Sequence, residues 1–403
     1  MNILHVVQAY YPFQEQGGPV VKVRALASNA ALHGHRVTVL TADLGLANKP
    51  DAAKRLEKCA WGSKLMQDGV ESIYLPTIAK YRALTVNTHI IDFCRHRLDQ
   101  FEIVHFYGLY DLLGPTVSHF CRRLGIRYVV EPMGMYRPID RSLFSKRLWH
   151  RVLGRRFLRR SHRLVATSEA EQAEFLAGGV PSGKVLVRYN GIDKNLSRMP
   201  TTRGAFRTKW NIPHDEPLIF FLSRLIPRKG ADVLIEAFAQ ACPEKGRLVI
   251  ASPEGEPKYG AYLRKCARAS SAEARIVFTG PLYDEEKKAA LEDTDIFALP
   301  SRYENFANVA AEAIACQIPI IISDACGISS LVNGIAGLVI PPTRADLAQA
   351  IRSLLSDNNL YERLKQGCPA VAAQLDWSFL SAQMENCYAE VLAENGARSG
   401  KLA

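Results

Sequence analysis

The stretch Ile296–Ala313, IFALPSRYENFANVAAEA, sets a strand, a loop and a helix in direct succession. Ile296–Leu299 is short and wholly apolar, as strands buried on both faces of a parallel sheet are. Pro300 ends it, and the Ala-rich segment from about Phe306 has helix-forming composition. Working outward, Leu218–Leu222, Leu248–Ala251, Ile276–Thr279 and Pro319–Ser323 are strands of the same kind, with helical patterns between them. Upstream, Ile3–Val7, Val37–Thr41, Ile103–Phe106, Tyr128–Val130 and Leu164–Thr167 repeat the alternation, and a helix over Val20–Leu32 stops at Gly34. Strand and helix in strict alternation predict parallel α/β layers, here two doubly wound halves. Polar and turn residues cluster around Asn195–Pro217, so the halves are expected at 1–195 and 196–377, with a terminal helix in 378–403 after Asp376-Trp377. A variable, charged stretch runs from Leu44 to Glu71.

Composition narrows the function. The 403 residues are 48% hydrophobic and 23% charged, which excludes disordered and coiled-coil classes. No apolar run approaches the ~18 residues of a membrane span, and Met1–Gln8 (MNILHVVQ) reads as a first strand, not a signal peptide. Nine scattered Cys without a CxxC pair argue against a disulfide framework or zinc site and for a reducing cytoplasm. Charge is uneven. Residues 1–200 hold 29 Lys/Arg against 16 Asp/Glu, whereas 201–403 hold 22 against 24. An excess confined to the N-terminal half suggests an anionic partner: phosphorylated substrate, anionic membrane or nucleic acid.

Three segments carry candidate chemistry, all in loops after strands, where open α/β sheets bind ligands. Gly17-Gly18-Pro19 would let backbone approach a phosphate at a helix N-terminus, though a plain turn explains it too. Arg224 and Lys229, in SRLIPRKG, stand at a strand end and a helix start. Two cations there suit a diphosphate leaving group, with a solvated basic loop as the competing reading. Glu304 and Glu312 are eight positions apart, ~12 Å at helical rise. That span matches the distance from a sugar ring to a ribose, and carboxylates accept hydrogen bonds from diols. The alternative is a solvated acidic pair.

Taken with GHRVTVLT (Gly34–Thr41), VATSEAE (Val165–Glu171), YNGID (Tyr189–Asp193), FLSRLIPRKG (Phe221–Gly230), ACQIPIIISDACGI (Ala315–Ile328) and the DW before the last helix, the chain resembles the family-four retaining glycosyltransferases of the GT-B fold, the group 1 class. The resemblance runs in order over nearly the whole length. It implies two Rossmann-like domains facing across a cleft, Asn190–Asp193 in the linker, and a C-terminal helix crossing back to the N-terminal domain. It implies that Arg224 and Lys229 bind the donor diphosphate, that Glu312 binds the ribose, and that Glu304 contacts the sugar with the amides of Phe306, Ala307, Asn308 and Val309. Gly17 and Gly18 would approach the phosphate. Arg224, Lys229 and Glu304 are the catalytic candidates, with no cofactor and no bound metal. The implied reaction moves a hexose from a nucleotide-diphosphate sugar to a glycan or lipid-linked acceptor with retention, in cell-surface polysaccharide or lipopolysaccharide assembly. A nucleotide-sugar-binding protein without transferase activity is the alternative.

Departures from the family pattern qualify this. Met133-Gly134 stands where many members carry His-Gly, so either Glu131 or Arg137 compensates, or the acceptor helps, or the protein is impaired. The family's E-G-F-G reads Glu304-Asn305-Phe306-Ala307, and Gln317 and Ser252 replace further glycines. On the acceptor side, His105 at a strand end would line the site with Tyr107 and Tyr110, Met133 and Arg137 nearby; a structural histidine is the other reading. Asp293-Thr294-Asp295 spells a D-x-D metal motif, but precedes a buried strand and is read as structural. Arg141–Arg163 holds nine Lys/Arg and no acid. Phe144, Leu148 and Val152, and likewise Trp149, Leu153 and Phe157, recur at i+4 opposite Arg147, Arg151, Arg155 and Arg159, as in a basic amphipathic helix. Either it packs as a surface helix, or it docks peripherally on the anionic inner face of the cell membrane or captures a lipid-diphosphate acceptor. Nucleic acid is not expected, because no recognised module is present.

Overall fold

The computed structural model describes residues 1–13, 17–46, 49, 54–81, 84–138, 142–192, 202–242, 244–252 and 256–394. They form two compact units. The first is Met1–Tyr189 with the C-terminal segment from Trp377, and the second is Asn190–Asp376.

The first unit is built on β1 (Asn2–Val6), β2 (Arg36–Ala42), β3 (Glu57–Cys59), β4 (Gly62–Gln67), β5 (Val70–Leu75), β8 (Ile103–Tyr107), β9 (Arg127–Glu131), β10 (Arg163–Ala166) and β11 (Val185–Val187). β6 (Thr77–Tyr81) and β7 (Leu84–Asn87) make a separate hairpin. The sheet order is β11-β10-β9-β8-β1-β2-β5-β4-β3. Its pairs are parallel from β11 to β5 and antiparallel in the β5-β4-β3 meander. β3 and β4 lie within the charged stretch Leu44–Glu71, and β5 begins at its end. Glu71 and Ser72 interrupt the apolar run of β5, and EKC in β3 carries no strand signal. The helix Gly18–Leu32 and the C-terminal helix Trp377–Ala393 cover one sheet face, burying Val23, Leu26, Trp377, Met384 and Tyr388 with Ile3, Val39 and Val165.

The second unit carries β12 (Leu218–Leu222), β13 (Arg247–Ala251), β14 (Ile276–Gly280), β15 (Ile296–Leu299), β16 (Ile320–Ser323) and β17 (Gly337–Ile340). They run in the order β14-β13-β12-β15-β16-β17, and every pair is parallel. Counted within the unit this is the dinucleotide-fold order 3-2-1-4-5-6. The order reverses between β12 and β15, so the loops leaving those two strands flank the switch point where such sheets bind ligands. No helix among the described residues is long and apolar enough to cross a membrane.

Candidate functional site

β12 and β15 are hydrogen-bonded neighbours, so SRLIPRKG and PSRYENFAN leave the sheet side by side. The two loops are clamped together. A Cβ on Gly230, whose φ is +73°, would lie 2.1 Å from the Pro300 carbonyl oxygen, so only glycine permits this approach. The Arg302 amide donates to the Arg228 carbonyl at 2.7 Å, and the Arg302 guanidinium pairs with Asp232 at 2.9 Å. Lys229, at the end of the short turn Pro227–Lys229, is buried and donates to Glu304 Oε2. A buried ammonium without a counter-charge would be costly, and Glu304 supplies one. Glu304 is itself held by backbone: its amide donates to the Ala325 carbonyl at 3.0 Å, and its carbonyl accepts from Gly327 at 2.9 Å. Arg224 is exposed at the rim of the same loop.

The helix after this loop runs Asn308–Ala315, two residues later than the sequence suggested. Ala307 precedes it in the left-handed region, at φ +82°. The helical-rise spacing of Glu304 and Glu312 therefore does not apply, because Glu304 lies in the loop and only Glu312 on the helix. Phe306 and Ala307 are buried; Asn308 and Val309 are half-buried, and the Asn308 side chain accepts from Asn190 at 2.9 Å. Asp193 lies outside the described residues. Glu312 is bonded through both oxygens to Lys287, a residue sequence reasoning missed. Lys287 sits on the helix Asp284–Glu292, and nothing in their 25-residue separation signals the contact.

In the first unit Gly17 caps the helix Gly18–Leu32 with φ +84°, and nothing lies near where its Cβ would be, so here conformation and not crowding calls for glycine. Met133 is half-buried at φ +55°, next to Gly134, whose amide donates to Glu171 Oε1 at 2.6 Å. Arg137 is exposed. His105 and Tyr107, expected on the acceptor side, are both buried: His105 Nδ1 bonds Tyr388 Oη of the C-terminal helix at 2.7 Å and Tyr107 Oη at 3.0 Å. Both face the interior and neither offers a surface to an acceptor, which corrects that expectation. Beside them, buried Glu131 accepts from both Lys22 and Arg188. Burial pushes the Glu131 carboxyl up, but Arg188 and Lys22 outweigh it and hold it below its ordinary range. His5 is lowered to about 3, mainly by burial.

Asp293 and Asp295 are structural. Asp293 accepts from the amides of Gly204 at 2.6 Å and Arg207 at 3.1 Å, while Asp295 accepts from Arg207 Nη2 at 2.8 Å and the Leu218 amide at 2.7 Å. Among the described residues no group of three or more His, Cys, Asp or Glu is placed to hold a metal ion.

The basic segment is helical over Leu143–Trp149 and Arg155–Arg159, joined by a π turn at His150–Gly154; Arg141 lies outside the described residues. Its two apolar stripes part company. Phe157 is buried and Trp149 packs against the core, whereas Phe144, Leu148 and Val152 are 83%, 51% and 62% exposed.

Comparison with known proteins agrees with this architecture. The family model for the glycosyl transferase 4-like domain matches residues 17–191, and that for glycosyl transferases group 1 matches residues 202–369. A D-inositol 3-phosphate glycosyltransferase of Xylanimonas cellulosilytica is 29% identical over 62% of this chain and 62% of its own length, so the chain covers less than two thirds of that relative. Sucrose-phosphate synthase of Thermosynechococcus elongatus superposes with a TM-score of 0.74 at 21% identity, over 98% of this chain and 99% of that one. Anabaena HepE, solved in complex with UDP-glucose, superposes at 0.71 and 19% identity over 98% and 100%. The fold is the GT-B fold that the motifs implied, two Rossmann-like domains with mainly parallel sheets. With both of its halves matched in order along residues 17–369, the chain belongs to the group 1 glycosyltransferases.

Proposed function

We propose that this protein transfers a hexose, with retention and without a bound metal, from a nucleotide-diphosphate sugar to a glycan or lipid-linked acceptor. The observation that carries the reading is the meeting of Lys229 with Glu304 at the β12/β15 switch point, with Glu312 on the helix that follows. Arg224 and Lys229 bind the diphosphate and stabilise the charge that develops as it leaves. Glu304 accepts from sugar hydroxyls, Glu312 accepts from the ribose diol, and the backbone from Phe306 to Val309 supplies donors at a helix N-terminus. Gly17 and Gly18 are the phosphate contacts of the first unit. Retention needs no protein carboxylate as nucleophile; the oxocarbenium-like centre meets the acceptor on the face the diphosphate leaves. Placed cations then account for most of the rate.

The acceptor side deepens the reading. Exposed Phe144, Leu148 and Val152 lie on a segment that also carries Lys146, Arg147, Arg151 and Arg155, a composition suited to the anionic inner face of a cell membrane, where cell-surface polysaccharide assembly would place a cytoplasmic transferase. Two experiments test the proposal. Incubation with candidate nucleotide sugars and an acceptor extract should release nucleoside diphosphate with an α-linked product; nucleotide binding without release would favour the donor-binding alternative instead. Co-sedimentation should show binding to anionic but not zwitterionic vesicles at low salt, and no binding to either would remove the membrane surface from the proposal.

A further inference from the structure

Glu312 is already engaged before any nucleotide arrives. Lys287 Nζ lies 3.0 Å from Glu312 Oε1 and 3.0 Å from Oε2, with the two side chains 24% and 22% exposed. The contact is symmetrical, half-shielded and still open to solvent. The adjacent lysine does something else: Lys288 Nζ pairs with Glu292 on its own helix at 2.6 Å and reaches Cys316 Sγ at 3.9 Å. Of two neighbouring lysines, Lys287 is thus the one aimed at the carboxylate.

We propose that Lys287 is a positioning residue for the nucleotide, holding the Glu312 carboxylate in the orientation that receives a ribose diol. The inference rests on the donor reading above and names a residue that reading does not use. A carboxylate offers about four lone-pair sites, two on each oxygen. An ammonium bridging both oxygens uses one on each and leaves one on each, the arrangement that two vicinal hydroxyls need. Lys287 thereby acts on the ribose through Glu312 and leaves bond-making to the other cations.

The test compares a ribonucleotide with a form lacking the hydroxyls. Calorimetric titration of wild-type chain with UDP, ADP and GDP identifies the tightest, and the 2′,3′-dideoxy form of that nucleotide is the control. Lys287→Met keeps the alkyl stem and removes the charge. It should weaken the ribonucleotide about five- to tenfold, in line with loss of a half-buried charged hydrogen bond. The same substitution should change the dideoxy form less than about twofold, and Lys287→Arg should recover most of the loss. Equal weakening of both nucleotides would mean a merely structural role and overturn the inference, as would an unchanged affinity for the ribonucleotide. A wild-type chain that binds none of the three overturns the donor reading itself, which is a distinct result.

Discussion

The two units share a strand order at their centres and put charge to opposite uses. In the second, Lys229–Glu304 and Lys287–Glu312 sit in the loop and helix segments around β15, where solvent reaches at least one partner of each pair. In the first, Lys22, Glu131, Arg188, His5 and His105 lie inside the unit, where Tyr388 of the C-terminal helix closes over His105. Position at a sheet's switch point therefore does not by itself make a site. What matters is whether a helix returns to cover it.

The largest expected effect separates these uses. Lys229→Ala should lower turnover by about 10²–10³ with the true donor and acceptor, as removal of a charge-stabilising donor does elsewhere. Turnover within threefold of wild type would remove Lys229 from the reaction. The counterpart is Glu131→Gln, which leaves Lys22 and Arg188 buried without the carboxylate they share. Breaking a buried ion pair costs about 3–5 kcal/mol, so the midpoint of denaturant unfolding should fall sharply while nucleotide affinity of the folded fraction holds. A loss below ~1 kcal/mol would show that the interior cluster is better solvated than its burial suggests.

Acid sensitivity sharpens the contrast further. His5 titrates at about 3 in the fold against 6.5 when exposed, and His105 is lowered in the same direction, both chiefly by burial. A base with a depressed folded pKa contributes its stability above pH 6.5 and loses it as pH falls, at ~1.4 kcal/mol per pH unit for each group. Asp111, raised to about 6 by burial, works the other way: its contribution is full below its ordinary range and is lost as pH rises through 6. Between pH 6.5 and 6 the histidines should dominate. His5→Leu should reduce the pH slope of unfolding there by about half to three-quarters of a proton, and an unchanged slope would place the titrating group elsewhere.

Much of this was legible in the sequence. Strands such as Leu218–Leu222 and Ile296–Leu299 are continuous apolar runs because both sheet faces are covered, and the structure returns them with the same bounds. Strands that were missed lack that signature. Val185–Val187 has three residues, and Glu57–Cys59 is largely exposed at a sheet edge. Motif order was enough to single out Lys229, Glu304 and Glu312, but not the partner of Glu312, since its pairing with Lys287 joins two helices separated by β15. His105 failed for a related reason. A histidine at a strand end looks reachable until a helix some 280 residues later is known to cover it, and the His105–Tyr388 separation is 283 positions.

Two departures from the family pattern left a trace in the backbone. Ala307 and Gln317, each standing where the pattern has glycine, keep positive φ angles of +82° and +58°. The chain at these points retains a conformation that favours glycine although the side chain has changed. An L-residue in the left-handed region costs roughly 1–2 kcal/mol, partly offset because glycine loses more freedom on folding. Ala307→Gly should therefore stabilise the second unit by about 0.5–1 kcal/mol, the smallest effect considered. Ala307 is also buried at the start of the Asn308–Ala315 helix, so loss of its methyl packing opposes the gain. A net destabilisation above ~1 kcal/mol would mean that packing outweighs strain here. The methyl would then be holding the Glu304 loop against that helix, and the glycine of the family pattern would be no substitute for it.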